Sequence, residues 1–182
     1  LEMSSEGKGD IRGPFLEIVY ADGSRTSDFL AAPEDIAVTA EPPVLEGLPQ
    51  SYDEDGEAEH VTVTLRDAAC GMTLELFYSV YPTEDVITRS ARLVNDSGEP
   101  VRLERLMSLQ LDIDTAGLVM TTFNGAWARE MERHDVQVTA GQHVNRSFTG
   151  TSSNRANPFV MLSMPRAAAS AMSADRPLTG LT

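Results

Sequence analysis

The feature that most constrains this chain is a two-residue alternation of apolar and polar side chains. Val61, Val63 and Leu65 alternate with Thr62, Thr64 and Arg66. Met72, Leu74, Leu76, Tyr78 and Val80 follow, with Thr73, Glu75 and Ser79 between them. Ile87, Ala91 and Leu93 face Thr88, Arg92 and Asn95, with Val86 and Val94 out of phase. Val101, Leu103, Arg105, Met107, Leu109 and Leu111 continue the strand-like period. Side chains of a strand point alternately to its two faces, so such windows predict strands with one face on a core. The punctuation is that of hairpins. Ala21–Ser24 separates Phe15–Tyr20 from Arg25–Leu30, Ala68–Gly71 separates two long strands, and Asn95–Pro100 separates two more. Asp-Gly and other Gly-bearing turns supply the positive φ that tight connections need. Arg129–Val138 is the best helical candidate, and it lacks a sustained apolar stripe. The pattern predicts an all-β, antiparallel β-sandwich.

Two stretches fall outside the pattern. Glu41–Glu59 holds Pro42, Pro43, Pro49 and a run of carboxylates, and reads as an extended, solvated connection. From Arg166 the chain turns to Ala and Ser, so residues 166–182 are expected to form a weakly ordered tail. Residues 1–8 are expected to be a flexible lead-in, which leaves 9–165 as the sandwich. With 182 residues the chain suits one ordinary domain, and 14 basic against 28 acidic residues give a formal net charge of −14. That charge repels phosphate backbones and anionic lipids, so neither nucleic acid nor a membrane is an expected partner. The single Cys70 excludes an internal disulfide. With no visible export signal, the expected location is the cytoplasm.

Few residues suggest chemistry. Asp112 and Asp114 are two apart and would share one strand face at roughly 7 Å. Paired carboxylates serve glycosidases at such separations, but acidic strand ends that point at solvent are far commoner. Asp53–Glu59 lacks the ligand spacing of a calcium loop. His60, His134 and His143 match no zinc pattern, so no metal and no cofactor is expected. Cys70 has no basic neighbour and reads as a structural thiol. Trp127 stands out: it follows Gly125-Ala126 and precedes Arg129-Glu130, in an expected loop after the strand Leu118–Phe123. An exposed indole beside polar groups can stack on the C–H face of a pyranose. The alternative is a ring packed under its own loop.

Five ordered blocks carry a resemblance. They are Ile11-Arg12-Gly13-Pro14 with Tyr20–Ser24; Leu45-Glu46-Gly47-Leu48-Pro49 with Tyr52 and Glu57-Ala58-Glu59; Asp85–Arg92; Gly125–Glu130; and Gly150-Thr151-Ser152-Ser153 with Asn157-Pro158-Phe159. Together they resemble the N-terminal domain of bacterial α-galactosidases of glycoside hydrolase family 36, over about Gly9 to Pro165. The resemblance implies a large β-sandwich that precedes a (β/α)8 catalytic barrel. It implies a parent enzyme, a homo-oligomer, that hydrolyses terminal α-galactosides of the raffinose and melibiose type with retention. Its two catalytic Asp residues would lie in the barrel, the nucleophile in a Lys-Trp-Asp-x-Asn block that this chain lacks. No catalytic residue is therefore expected here, and the chain alone is expected to be an inactive portion, with its sandwich incomplete at both ends. The resemblance implies that Trp127 approaches the galactose pocket, which makes it the one expected substrate-binding residue. A free-standing carbohydrate-binding sandwich is the alternative reading.

Overall fold

A computed structural model describes residues 3–49, 52–54, 56–150 and 155–165. The expected tail at 166–182 lies outside the described residues. So do residues 151–154 of the fifth block. The chain divides into two compact units, Leu1–Asp112 and Ile113–Thr182. All nine strands of the described residues pair antiparallel, and those residues contain no α-helix, only a 3-10 turn at Pro33–Asp35. The described residues are all-β and antiparallel, as the alternation predicts, and the first unit packs its two sheets face to face as a sandwich.

The first unit is built on β4 (Met72–Tyr81), which lies between β3 (Glu59–Asp67) and β5 (Val86–Asn95). A short β2 (Ile36–Thr39) closes the other side of β3, giving the order β2-β3-β4-β5. A second sheet pairs β1 (Leu16–Val19) with β6 (Arg102–Leu106). Phe15, Leu16 and Ile18 pack on Met72, Leu74 and Leu76, and these six buried side chains are the core. Arg89 closes the core's edge. Its guanidinium lies 4.8 Å from the Phe15 ring centre and 5.5 Å from that of Tyr78. Its Nε donates to the Tyr78 hydroxyl at 3.1 Å. The arrangement stacks a charge on two rings while its polar edge stays bonded.

The buried face of β4 changes part-way along. Met72, Leu74 and Leu76 are buried on one side; from Phe77 onward it is Phe77 and Ser79, on the other side, that are buried. The Pro42–Pro49 connection, which turns at Leu45–Leu48, lines a cavity with Phe77 and Ser79 on that second side. On this side His60 is 2% exposed, with Nδ1 2.7 Å from Ser79 Oγ.

Several sequence expectations are corrected. Arg129–Val138, the helical candidate, is β8 (Arg129–Gln137), every residue of which is exposed. A strand without an apolar face carries no period that betrays it. The strand-like run from Val101 to Leu111 is a ladder only over Arg102–Leu106. Arg25–Leu30 joins the sheet by a single bridge, Leu30 to Arg66. The Asn95–Pro100 connection is no hairpin: β6 leaves β5 and pairs with β1 in the other sheet. In the opening residues, Ser4 and Ser5 are packed. The Ser4 carbonyl accepts from Phe15 N–H at 2.9 Å, and its hydroxyl meets Gln110 Oε1 at 3.0 Å. Those hydrogen bonds tie the lead-in to β1.

The β3–β4 turn depends on Asp67, which is 2% exposed. Its carboxylate accepts from the backbone N–H groups of Ala69 and Cys70, each at 3.1 Å, and of Asp28 at 2.7 Å. Gly71 follows at φ 62°, where an added Cβ would sit 2.9 Å from Ser97 Cα. Removing the carboxylate strands three backbone donors. Asp67→Ala is expected to cost about 2–4 kcal/mol of stability, and Asp67→Asn, which keeps one acceptor, clearly less. Thermal melts of the three proteins check this; an unchanged melting point for Asp67→Ala would refute the role.

Candidate functional site

The second unit is a three-stranded sheet, β8-β7-β9, of β7 (Val119–Ala126), β8 and β9 (Met161–Ser163). β7 and β8 form a hairpin whose connection is only Trp127 and Ala128. Ala128 adopts φ 59°, the left-handed conformation that so short a connection requires of a residue there. The ladder slips one residue between Asn124 and Ala126: Gly125 faces two residues of β8, Glu130 and Met131, so the bulge lies on β8, where Met131 adopts φ 59°. A Cβ on Gly125 would lie 2.4 Å from the Arg129 carbonyl oxygen and 2.9 Å from Glu130 Cα. Only glycine lets the two strands close here. Gly125-Ala126-Trp127 is thus a local instruction: a close-approach glycine opposite the β8 bulge, the last strand residue, the ring at the tip.

Trp127 is 84% exposed. Of the two readings left open by the sequence, a ring packed under its loop does not occur. The neighbouring side chains are fixed by short polar contacts. Glu130 Oε1 accepts from Ala128 N–H at 3.2 Å, and Arg129 Nη2 pairs with Glu132 Oε1 at 2.6 Å. On the far edge of β7, the chain around Arg155–Asn157 is pinned to the same strand end. Gly125 N–H donates to the Arg155 carbonyl at 3.0 Å, and Asn157 N–H to the Phe123 carbonyl at 3.0 Å. Asn145 Nδ2 donates to the Asn157 carbonyl at 2.6 Å. An open cavity of about 390 Å³ lies there, lined by Asn145, Arg146, Ser147, Gly150, Ala156, Asn157 and Pro158. The fourth and fifth sequence blocks, twenty residues apart, therefore meet on β7.

At the base of the hairpin, Thr121 is 1% exposed and its hydroxyl donates to Asp135 Oδ1 at 2.5 Å. Arg133 Nε approaches the same carboxylate at 2.9 Å. These two donors, Arg133 foremost, hold the Asp135 carboxyl below its ordinary range.

The other singled-out residues do not converge. Asp112 is paired with Arg12, which also binds Asp10 at 2.7 Å. Asp114 Oδ1 accepts from Ala116 N–H at 3.0 Å, a local turn contact. Asp53 organises its acidic loop by accepting from the N–H groups of Glu57 and Ala58, each at 3.1 Å. Cys70 is half-buried, and burial, reinforced by the nearby Asp67, pushes its thiol up and away from reactivity. Among the described residues, no three His, Cys, Asp or Glu side chains gather as a metal site. Sequence reasoning missed the Thr121–Asp135–Arg133 contact. Its only trace is a Thr at a strand centre, and no local pattern links it to a residue on the next strand.

Known proteins are similar to this chain. The profile of the glycosyl hydrolase family 36 N-terminal domain matches residues 1–171. Alpha-galactosidase AgaA of Geobacillus stearothermophilus is 35% identical over 162 residues, which are 88% of this chain and 22% of that protein. A probable alpha-galactosidase G of Aspergillus terreus is 34% identical over 164 residues, 90% of this chain and 22% of its own length. The crystal structure of alpha-galactosidase AgaB from Geobacillus stearothermophilus superimposes with a TM-score of 0.84 at 32% identity, covering 91% of this chain and 23% of AgaB. A crystal structure of an AgaA variant in complex with raffinose also superimposes at 0.84, with 33% identity and the same coverage. This chain thus spans about a fifth of the length of these relatives.

Two measurements check the site. Trp127 is the only tryptophan, so the chain's indole emission reports on it alone. The emission is expected at the wavelength of indole in water, with ready quenching by acrylamide; a blue-shifted, protected signal would contradict the exposed tip. The depressed Asp135 carboxyl makes its stabilising contribution fully present above the unfolded aspartate value of roughly 3.9. That contribution is lost as pH falls through the lower folded value. Carboxyl NMR titration is expected to place the Asp135 midpoint below that of an unstructured aspartate, and Thr121→Val to raise it. An ordinary midpoint would show that the two contacts do not act on it.

Proposed function

Because this chain belongs to the glycosyl hydrolase family 36 N-terminal domain family, we infer that it is the non-catalytic opening portion of an α-galactosidase, and that Trp127 contacts the galactoside. One observation carries the reading: an indole held fully open at the tip of a two-residue hairpin, inside a matched family block. A backbone mount held by a closed ladder leaves only the two side-chain torsions of the indole to order on binding, so its apolar face is available to a sugar without a large ordering cost. The substrates that fit are terminal α-galactosides, the class to which the raffinose found with the AgaA variant belongs.

Hydrolysis needs two carboxylates at one glycosidic bond. Asp112 and Asp114 are each engaged elsewhere, Asp112 by Arg12 and Asp114 by its own turn. In this reading the acid, the base and the retaining chemistry belong to a barrel contributed by the rest of the enzyme. The sandwich supports that barrel and the enzyme's homo-oligomeric contacts.

The test has two arms. The 182-residue chain is expected to release no p-nitrophenol from p-nitrophenyl α-galactoside. A chimera carrying this chain in place of the matching residues of AgaA is expected to hydrolyse raffinose. In that chimera Trp127→Ala is expected to cost about 1–3 kcal/mol of transition-state binding, read as kcat/KM, with the melting point unchanged. Turnover by the chain alone, or a chimera indifferent to Trp127→Ala, would overturn the reading. Millimolar binding of raffinose by the chain alone would favour the free-standing module.

A further inference from the structure

Two aromatic rings of the second unit stand open to water, Trp127 at 84% exposure and Phe148 at 83%. A single apolar side chain on a surface calls for no explanation, but Phe148 is not alone. The Arg146 guanidinium lies 4.7 Å from its ring centre. A guanidinium over an aromatic face is attracted by the ring's quadrupole and keeps its planar set of N–H donors available at the edge. The neighbouring residues stiffen the mount. The hydroxyls of Ser147 and Thr149 meet at 2.8 Å, and Thr149 N–H donates to Ser147 Oγ at 3.3 Å. The pair thus combines an apolar ring with a fixed row of donors.

Arg146 is out of keeping with the rest of the chain. Acidic residues outnumber basic ones by 28 to 14, and Arg12, Arg25, Arg66 and Arg92 each pair with a carboxylate. Among the described residues no carboxylate pairs with Arg146, and none lines the cavity of about 390 Å³ that it borders. That cavity offers the amides of Asn145 and Asn157 and the Ser147 hydroxyl instead. Asn145 commits Nδ2 to the Asn157 carbonyl at 2.6 Å, which leaves its Oδ1 as an acceptor. Neutral amides and a hydroxyl around one cationic donor match a neutral, hydroxyl-rich ligand. The open ring beside them matches the C–H face of a pyranose.

The cavity is tied to the strand that carries Trp127. Ala156 bridges Asn124, and Gly125 N–H donates to the Arg155 carbonyl at 3.0 Å. Trp127 stands three residues beyond Asn124. At about 3.3 Å per residue that is roughly 10 Å along the strand direction. One pyranose does not bridge such a distance; an oligosaccharide of the raffinose type does. We propose that Arg146 and Phe148, with the adjoining cavity, form a second sugar subsite that takes the rings of an α-galactoside beyond its terminal galactose. The proposal rests on the reading that Trp127 contacts that galactose. It makes Arg146 and Phe148 specificity determinants: substrates with further rings gain from them, and a lone galactoside does not. A protein cover over Phe148 fits less well, because it would strip water from a guanidinium that has no carboxylate beside it among the described residues.

The AgaA chimera tests this with two substrates, raffinose and methyl α-galactoside, which has no second sugar. Phe148→Ala and Arg146→Ala are each expected to lower kcat/KM for raffinose about five- to tenfold, chiefly through KM, and to change it for methyl α-galactoside by less than about twofold. Phe148→Tyr, which keeps the ring, is expected to restore most of the loss seen with Phe148→Ala. Equal losses on both substrates, no loss on either, or a loss that Phe148→Tyr does not restore overturns the proposal. Sucrose, the galactose-free part of raffinose, is expected to compete with raffinose in the chimera and not in its Phe148→Ala variant. Competition by inorganic phosphate in place of sucrose makes the cavity an anion site and overturns the proposal. A folded chimera that hydrolyses neither substrate refutes the enzyme reading alone. Saturation-transfer NMR of that chimera with sucrose then decides the subsite: transfer is expected, and its absence overturns it. Should the chimera not fold, the same NMR on the 182-residue chain, at sucrose concentrations well above millimolar, decides. Transfer that Phe148→Ala abolishes is expected; no transfer, or transfer indifferent to the substitution, sinks the proposal.

Discussion

The contact between β4 and the short β1–β6 sheet sets the rest of the first unit. Met72, Leu74 and Leu76 are buried there against Phe15, Leu16 and Ile18, and burial of this kind is the main favourable term a small sheet has. Everything near it serves to hold β4 flat against that cover. Asp67 fixes the turn that brings β3 alongside. Arg89 closes the rim with two rings and the Ser108 carbonyl. β4 continues for three residues past the rim at Tyr78, and from Phe77 onward its support comes from the opposite side, through Phe77, Ser79 and His60. One strand thus takes part in two layers, each half as deep as the strand is long.

This explains which parts of the fold were legible in the sequence. β3 and β4 announce themselves because the apolar alternation runs on past the change of face: Tyr78 and Val80 stay in phase with Met72, Leu74 and Leu76, while the buried side becomes that of Phe77 and Ser79. The change itself is not legible, since Val80 and Leu74 look alike in a sequence and differ only in what lies over them. β8 is invisible for a related reason. Its residues are exposed on both sides, so charge follows charge and no period remains. The partner of β6 was equally beyond local reading, because Asn95–Pro100 has hairpin chemistry yet the chain leaves the sheet. Pairing across that distance is decided by the core, not by the turn.

The candidate site was more legible than the fold around it. Gly125, Ala126 and Trp127 specify their own geometry within three residues, since the close approach of the β8 backbone demands glycine and the two-residue turn puts the indole at the tip. What the sequence withheld is the second edge of β7, where Gly125 N–H and the Phe123 carbonyl are bonded to Arg155 and Asn157. That pairing spans thirty residues and leaves no local mark. The fourth and fifth blocks carry their resemblance separately, and only the ladder shows them to be one structural element.

The same economy links the site to the domain's role. A catalytic carboxylate needs a partner, a shaped pocket and a tuned pKa, which are costly on a domain this acidic and open. The Asp residues here are spent on structure: Asp67 on a turn, Asp53 on a loop, Asp135 on a hairpin base. A stacking ring needs none of that, only a stiff mount and exposure. The two-residue turn supplies both, with Asp135 held by Arg133 and Thr121 at the hairpin's base. A chain that commits these carboxylates to turns, loops and a side-chain contact, and holds one indole out on a closed ladder, fits the proposed reading, in which it positions a contact and bond cleavage lies elsewhere.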